Sequence, residues 1–288
     1  MYCVIVGDIV NSRTLCSEIR ERIMSVAKSA FSRINANYTD SLMAPFGLVR
    51  GDAFEGVLLA QHHAPQIVQD IIKEFYNVDT TVVRICVVLG QLTVTSQDRN
   101  EADGPAFHKA LDTLNKMKSS GSSHWLQVSF DIGAFGKPLM DSNLALLAAL
   151  TERWTDKQRK IVWMTEECGG LQKLVGSKLG IAPSVVNRQL KATRYAAYRK
   201  AWDSLTEHLA AIDEFTVAGR SVFDISYVPF YNIALRKIDQ NNLPEALKLL
   251  EKSLELAKGE LNENDPQLEK IYTTLARLHS LFEERAGR

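Results

Sequence analysis

The sequence predicts an α+β chain on three observations. Strand-like and helix-like periods alternate through the first ~135 residues, the remainder is helical, and no low-complexity linker separates the two. "YCVIVGDI" (2–9) reads as the first strand, and "LCSEIRERIMSVAKSAFSRIN" (15–35) as a helix with Ile19, Ile23, Val26 and Phe31 at helical spacing. "MAPFGLVR" and "AFEGVLLA" form a hairpin, "APQIVQDIIKEFY" a second helix, and "TVVRICVVLGQLTV" a long, nearly all-apolar central strand. "GPAFHKALDTLNKMK" and "WLQVSF" add one more helix and one more strand. The order βαββαβ followed by αβ is the split arrangement of the ferredoxin-like type, so an antiparallel sheet with helices on one face is expected. The expected domains are 1–140, 141–215 and 216–288.

Past Asp141 every pattern is helical. "NLALLAALTERW" is apolar enough to pack on the first domain, and Thr155 is placed to cap the helix of "WTDKQRKIVWMTEE". "LQKLVGSKLGIAPSVVNRQLKAT" has helix-turn-helix spacing. Leu174, Val175 and Leu179 would pack the first helix, Gly180 the turn, Ile181 the gap, and Val186 and Leu190 the second helix, which Pro183 opens. That leaves Pro183, Ser184, Val185, Asn187, Arg188 and Lys191 facing outward. Between Thr155 and Lys200 there are ten basic residues and three acidic ones in a chain of zero net charge. This local +7 is the footprint of phosphate binding, and Asn and Arg are the types that read adenine and guanine in a major groove. Double-stranded DNA is therefore the expected partner, with Arg159 and Lys160 on the backbone and Ser184, Asn187, Arg188 and Lys191 on the second helix. One such unit recognises weakly, so a homodimer is implied. A plain three-helix scaffold is the competing reading.

The C-terminal "YNIALRKIDQNNLPEALKLLEKSLELAKGE" reads as a helical hairpin broken at Asn241-Asn242, and a further helix follows Asp265-Pro266. With Ala234, Leu235 and Ala246 it resembles one tetratricopeptide repeat. A lone repeat cannot bury its own face, so docking or dimerisation is the expected role.

At 288 residues and 45% hydrophobic, with no apolar run near ~18 residues, the chain is long enough for two or three domains and gives no reason to expect a membrane. "MYCVIVGDIV" carries no basic leader or cleavage site. The four scattered cysteines, Cys3, Cys16, Cys86 and Cys168, fit core positions in a reducing cytoplasm.

Charge inside the hairpin "GLVRGDAFEGVLL" needs an account. A polar turn is one; the other is a partner for Asp8, which ends the first strand. Asp52 would emerge at the same sheet edge as Asp8. Two carboxylates so placed repel unless a proton, a basic side chain or a divalent cation offsets the cost, and the Ile9 carbonyl stands next to them.

"GDIVNSR", "GDAFEG" and "ADGPAFHKAL", in that order and at these separations, resemble the SatD family of bacterial proteins over residues 1 to roughly 210. The layout is similar, more distantly, to class III nucleotide cyclases and GGDEF diguanylate cyclases, which share a palm-type fold. The resemblance implies Mg or Mn held by Asp8, Ile9 and Asp52, with Asn11, Arg50, Gly51, Glu55 and Lys109 around a nucleotide. Two departures stand out. Ala53 replaces the second acidic residue of GGDEF enzymes, and the helix with His108 and Lys109 lacks the cyclase arginine, for which Lys109 or Arg84 would substitute. His108 is either a base or a solvated helix residue, and Asp103 reads as the helix N-cap. The implied function is a DNA-binding regulator with a nucleotide-binding palm; the alternative is a metal-dependent nucleotidyl transferase or cyclase.

Overall fold

The computed structural model describes residues 2–49, 51–95, 101–121, 124–133, 136–217, 231, 234–235, 237–238, 242–260 and 265–286. They form two compact units, Met1–Glu214 and Phe215–Arg288.

In the first unit, β1 (Tyr2–Ile9), β2 (Leu42–Val49), β3 (Ala53–Leu58), β4 (Val83–Gly90) and β5 (Gln127–Asp131) make one sheet in the order β2-β3-β1-β4-β5. Every pair among the first four is antiparallel, while β5 joins β4 in parallel, Arg84 opposite Gln127 through Val88 opposite Asp131. The sheet is therefore mixed, not antiparallel as the element order suggested. The cause is the crossover from β4 to β5, which passes through a helix and returns the chain in the same direction.

Both faces are covered, which corrects the expectation of helices on one face. α1 (Ser17–Asn37) and α2 (Ala64–Tyr76) cover one face and α3 (Pro105–Ser119) the other. Alternation along β1 sorts the two cores. Val4 and Val6 pack with Cys86, Val88, Ala106, Phe107, Ala110 and Leu114 under α3. Gly7, the next residue and on the opposite face, faces Phe54, whose ring fills the space a Cβ would need. Phe54 in turn contacts Phe31 of α1 and Phe75 of α2, with ring centroids 5.3 and 5.9 Å away. An alanine at position 7 has no room, so the glycine there serves packing.

β2 is an edge strand, interrupted by two register shifts and by Pro45. The Asn35 side chain reaches it from α1. Asn35 Nδ2 donates to the Phe46 carbonyl at 2.9 Å, and the Phe46 N–H donates to Asn35 Oδ1 at 2.7 Å.

α4 (Lys137–Glu152) packs on β5 through Met140, Leu144 and Leu147, and α5 (Asp156–Glu167) follows. Thr155 caps α5 as expected, in a capping box with Gln158: the Gln158 N–H donates to Thr155 Oγ1 and the Thr155 N–H to Gln158 Oε1. α6 (Gln172–Leu179), α7 (Pro183–Ala192) and α8 (Tyr195–Val217) complete the unit. α4 runs across the division expected at 140, and the spans 1–140 and 141–214 lie within one unit because α5 and α8 dock on α2. Tyr76 donates to Asp156 Oδ1 at 2.8 Å, Lys73 pairs with Glu167, and Tyr198 donates to Gln69 Oε1 at 3.4 Å. At the far end of α8, Asp213 accepts from the N–H groups of Gln61 and His62, both at 2.9 Å. Three cysteines are buried as expected; Cys16, at the exposed start of α1, is not.

The second unit contains α9 (Leu243–Glu260) and α10 (Pro266–Ala286), packed through Ala246, Leu250, Ala257, Leu268, Ile271 and Leu275, with Ala234 in the same core. α10 starts after Asp265, as the Asp-Pro pair predicted. Asn242 Nδ2 donates to Glu245 in the first turn of α9, and Asn241 lies outside the described residues. No helix among the described residues is long and apolar enough to cross a membrane.

Candidate functional site

Asp8 is the penultimate residue of β1, one register step from the hairpin: its partner in β3 is Ala53, the residue after Asp52, and its partner in β4 is Arg84. The strands thus bring both predicted carboxylates to one sheet edge. Asp8 is only 5% exposed. Its Oδ2 lies 3.1 Å from Lys118 Nζ, at the end of α3, and 3.5 Å from Arg84 Nη1. Its Oδ1 and Arg84 Nε are buried with no hydrogen-bond partner.

Asp52 is half-buried and accepts a hydrogen bond from the Ser12 hydroxyl. Asn11 supports this by turning the chain, with a left-handed backbone (φ 56°) and a carbonyl that accepts from both the N–H and the hydroxyl of Thr14. Gly51 is exposed at φ +89°, where a side chain would be strained. Glu55 pairs with Val6, on the same face as Asp8 and two positions along. Arg50 lies outside the described residues.

Lys109 does not join this group. It pairs with Asp131 at 2.8 Å, and Asp131 sits opposite Val88, four residues along β4 from Arg84, roughly 13 Å at ~3.3 Å per residue. The cation that reaches Asp8 from α3 is Lys118, two and a half turns later. Sequence reasoning missed it, although Ala110, Leu114 and Lys118 form one i, i+4 stripe whose first two members are buried against the sheet. It also missed Asp131, a buried carboxylate that further accepts from the Gly133 N–H. His108 is exposed, 3.2 Å from Asp103. Asp103 is not the N-cap of α3; Gly104 is, with its own N–H donating to Asp103 Oδ1.

Among the described residues no group of three or more His, Cys, Asp or Glu side chains is placed to hold a metal ion. The Asp8–Asp52 edge offers two carboxylates, one with an unsatisfied buried oxygen. That fits Mg²⁺ or Mn²⁺, which take one or two carboxylates and complete their shell with water and phosphate oxygens.

The second candidate surface is carried by α6 and α7. Gly180 ends α6 in the left-handed region (φ +65°), and the Ile181 N–H returns to the Gly176 carbonyl at 3.0 Å. Val175, Val186 and Leu190 are buried as predicted; Leu174, expected among them, is exposed. Ser184, Asn187, Arg188, Lys191 and Lys160 are all exposed. Pro183 occupies the first turn of α7.

Arg159 is the correction on this surface. It is 4% exposed, with its guanidinium 4.1 Å from the Trp125 ring centroid and 5.2 Å from that of Tyr76. It fastens α5 to the sheet half of the unit, out of reach of a phosphate. The same interface raises the Tyr76 hydroxyl pKa, first by burial and then through the hydrogen bond to Asp156. Arg199 is likewise engaged, with Glu166 at 2.7 Å and Asp203 at 3.2 Å.

This is an α+β protein in which a mixed five-stranded sheet and a helical bundle that includes α6 and α7 form one unit. The SatD family matches residues 2–208, and the chain belongs to that family. A search of curated proteins finds no match.

Proposed function

We propose that the chain is a DNA-binding regulator whose sheet domain takes a nucleotide together with Mg²⁺ or Mn²⁺. The observation that carries the DNA half is the sidedness of α7: Val186 and Leu190 are buried, while Ser184, Asn187, Arg188 and Lys191 are exposed. A helix held by α5 and α6 with polar and basic residues outward suits a major groove, and exposed Lys160 suits a backbone phosphate. Dimeric binding follows from the weakness of a single unit.

For the nucleotide half, the order β2-β3-β1-β4 with every neighbour antiparallel supports a ferredoxin-like, palm-type reading. The unsatisfied Asp8 Oδ1 supports a cation there. Asp8, Asp52 and the Ile9 carbonyl would hold the metal, with Asn11, Gly51 and Glu55 lining the same edge. The metal, when bound, neutralises phosphate charge. In the second unit, Ala234 and Ala246 in the core are consistent with a tetratricopeptide-like docking hairpin.

Titrating duplex DNA against the full chain over a range of salt tests the regulator reading. Arg188→Ala is expected to cost ~1–3 kcal/mol on the preferred sequence and relax its specificity, whereas Lys160→Ala weakens all sequences and lowers the salt slope by about one. Equal, sequence-independent losses would reduce the segment to a charged scaffold, and no binding at ~50 mM salt would remove the reading. Nucleotide with Mg²⁺ is expected to stabilise wild type by ~2.7 kcal/mol at 100 times its dissociation constant, and Asp8→Asn or Asp52→Asn to abolish this. A nucleotidyl transferase or cyclase is the second reading, favoured by Arg84 beside Asp8, which supplies a guanidinium that α3 lacks. Product formation from nucleoside triphosphates with Mn²⁺ decides it.

A further inference from the structure

We propose that Lys118 is a resident stand-in for the divalent cation at Asp8, and that on ligand binding its ammonium leaves the carboxylate and holds a phosphate oxygen of a polyphosphate. This rests on the metal–nucleotide reading above and says how that site is kept when empty.

A carboxylate as buried as Asp8 is costly unless it is paired. Two cations pair it, and they are not equivalent. Arg84, on β4, lies directly opposite Asp8 in register, with a side chain 13% exposed, so strand pairing fixes it. Lys118 stands at the last turn of α3 with a side chain 43% exposed, and its flexible stem can swing away. The present pairing is also incomplete, because both cations approach Oδ2 while Oδ1 has no partner. A divalent cation held by Asp8 and Asp52 would supply the charge balance that Lys118 now supplies and would repel its ammonium.

Displacement leaves positive charge behind. Arg84 and the freed Lys118 remain at an edge that has gained a divalent ion, and an anion must balance them. A polyphosphate suits such a cluster, because each oxygen accepts a charge-assisted hydrogen bond from an ammonium or guanidinium. Lys118 therefore has opposite effects on the two parts of the ligand: it competes with the metal and assists the phosphate.

That opposition is the test. Calorimetric titration of the full chain is done with Mn²⁺ alone and with sodium tripolyphosphate in the presence of Mn²⁺, on wild type, Lys118→Met and Lys118→Arg. Lys118→Met is expected to bind Mn²⁺ about two- to fivefold tighter, the scale of a lost competing ion pair at a partly exposed site. It should bind tripolyphosphate at least about tenfold more weakly, the scale of a lost charge-assisted hydrogen bond. Lys118→Arg should stay near wild type on both. Unchanged or weaker Mn²⁺ binding by Lys118→Met, or undiminished tripolyphosphate binding, overturns the inference while leaving the metal–nucleotide reading intact. If neither wild type nor Lys118→Met binds Mn²⁺ with or without tripolyphosphate, the parent reading fails and the inference with it. A metal-free thermal melt of Lys118→Met, which retains the Arg84 pairing, checks that the variant is folded.

Discussion

Arg159→Ala separates the two roles a basic residue in this segment can have. The guanidinium lies over two rings, at 4.1 Å from Trp125 and 5.2 Å from Tyr76. A desolvated cation–π contact contributes up to ~2 kcal/mol and a longer one ~0.5 kcal/mol. Truncation also removes buried methylenes at ~0.8 kcal/mol each. Against these losses, Arg159 Nε and Nη1 are buried without hydrogen-bond partners, so removing the charge relieves part of its desolvation cost. The net expectation is a destabilisation of ~2–3 kcal/mol, or ~5–10 °C for a unit of this size at ~2–4 °C per kcal/mol. Thermal unfolding followed by tryptophan fluorescence measures it. The same protein, held well below its transition, should show the wild-type salt slope for duplex DNA, in contrast to Lys160→Ala. A melting temperature within ~1 °C of wild type together with a slope lowered by one would refute the reasoning and return Arg159 to the DNA surface.

Thr155→Ala removes the side-chain acceptor of the α5 capping box, leaving the backbone N–H of residue 155 to donate to Gln158 Oε1, and should cost ~1 kcal/mol in denaturant unfolding, whereas Thr155→Ser should cost little. Asp70 carries a carboxyl pKa raised chiefly by burial. The folded state therefore holds its proton more tightly than the unfolded state, and this contribution to stability is fully present below the unfolded pKa of ~3.9 and lost as pH rises through the folded value. Asp70→Asn should accordingly be more stable than wild type near neutrality, with the advantage shrinking on acidification; a constant advantage across pH 3–7 on the order of measurement error would reject that account.

The sheet was legible wherever a local period carried it. α2 begins and ends at the residues its apolar pattern marks, and β1 spans the predicted "YCVIVGDI". The central strand was read too long because "TVVRICVVLGQLTV" stays apolar, yet β4 ends at Gly90, where the start of α3 crowds in and a Cβ would lie 3.1 Å from Ala106 Cβ. Parallel pairing of β5 was not legible, since it is decided by where a crossover returns the chain. Site residues divide in the same way. Asp8 and Asp52 announce themselves as charges at the ends of strands. Lys118 continues the buried stripe of α3 with a charge and could have been found there, while the preference for Lys109 followed the motif instead of the helix face. Arg159 could not have been placed from its neighbours in sequence, because its position is set by aromatic rings 34 and 83 residues away.

The side-chain amide of Asn35, bonded to both backbone groups of Phe46, acts as a counterfeit peptide unit. With Pro45 beside it and the register shifting between Leu42 and Ala44 and again between Ala44 and Gly47, the outer rim of β2 presents no long run of free donors and acceptors onto which another chain could zip. Self-association of this protein by continuing its sheet from one copy into the next is closed off at that rim, as is the growth of fibrillar stacks from it. Replacing Asn35 by leucine would reopen two of those backbone groups at once, and turbidity of the variant on mild warming, at concentrations where wild type stays clear, would show how much one amide holds back.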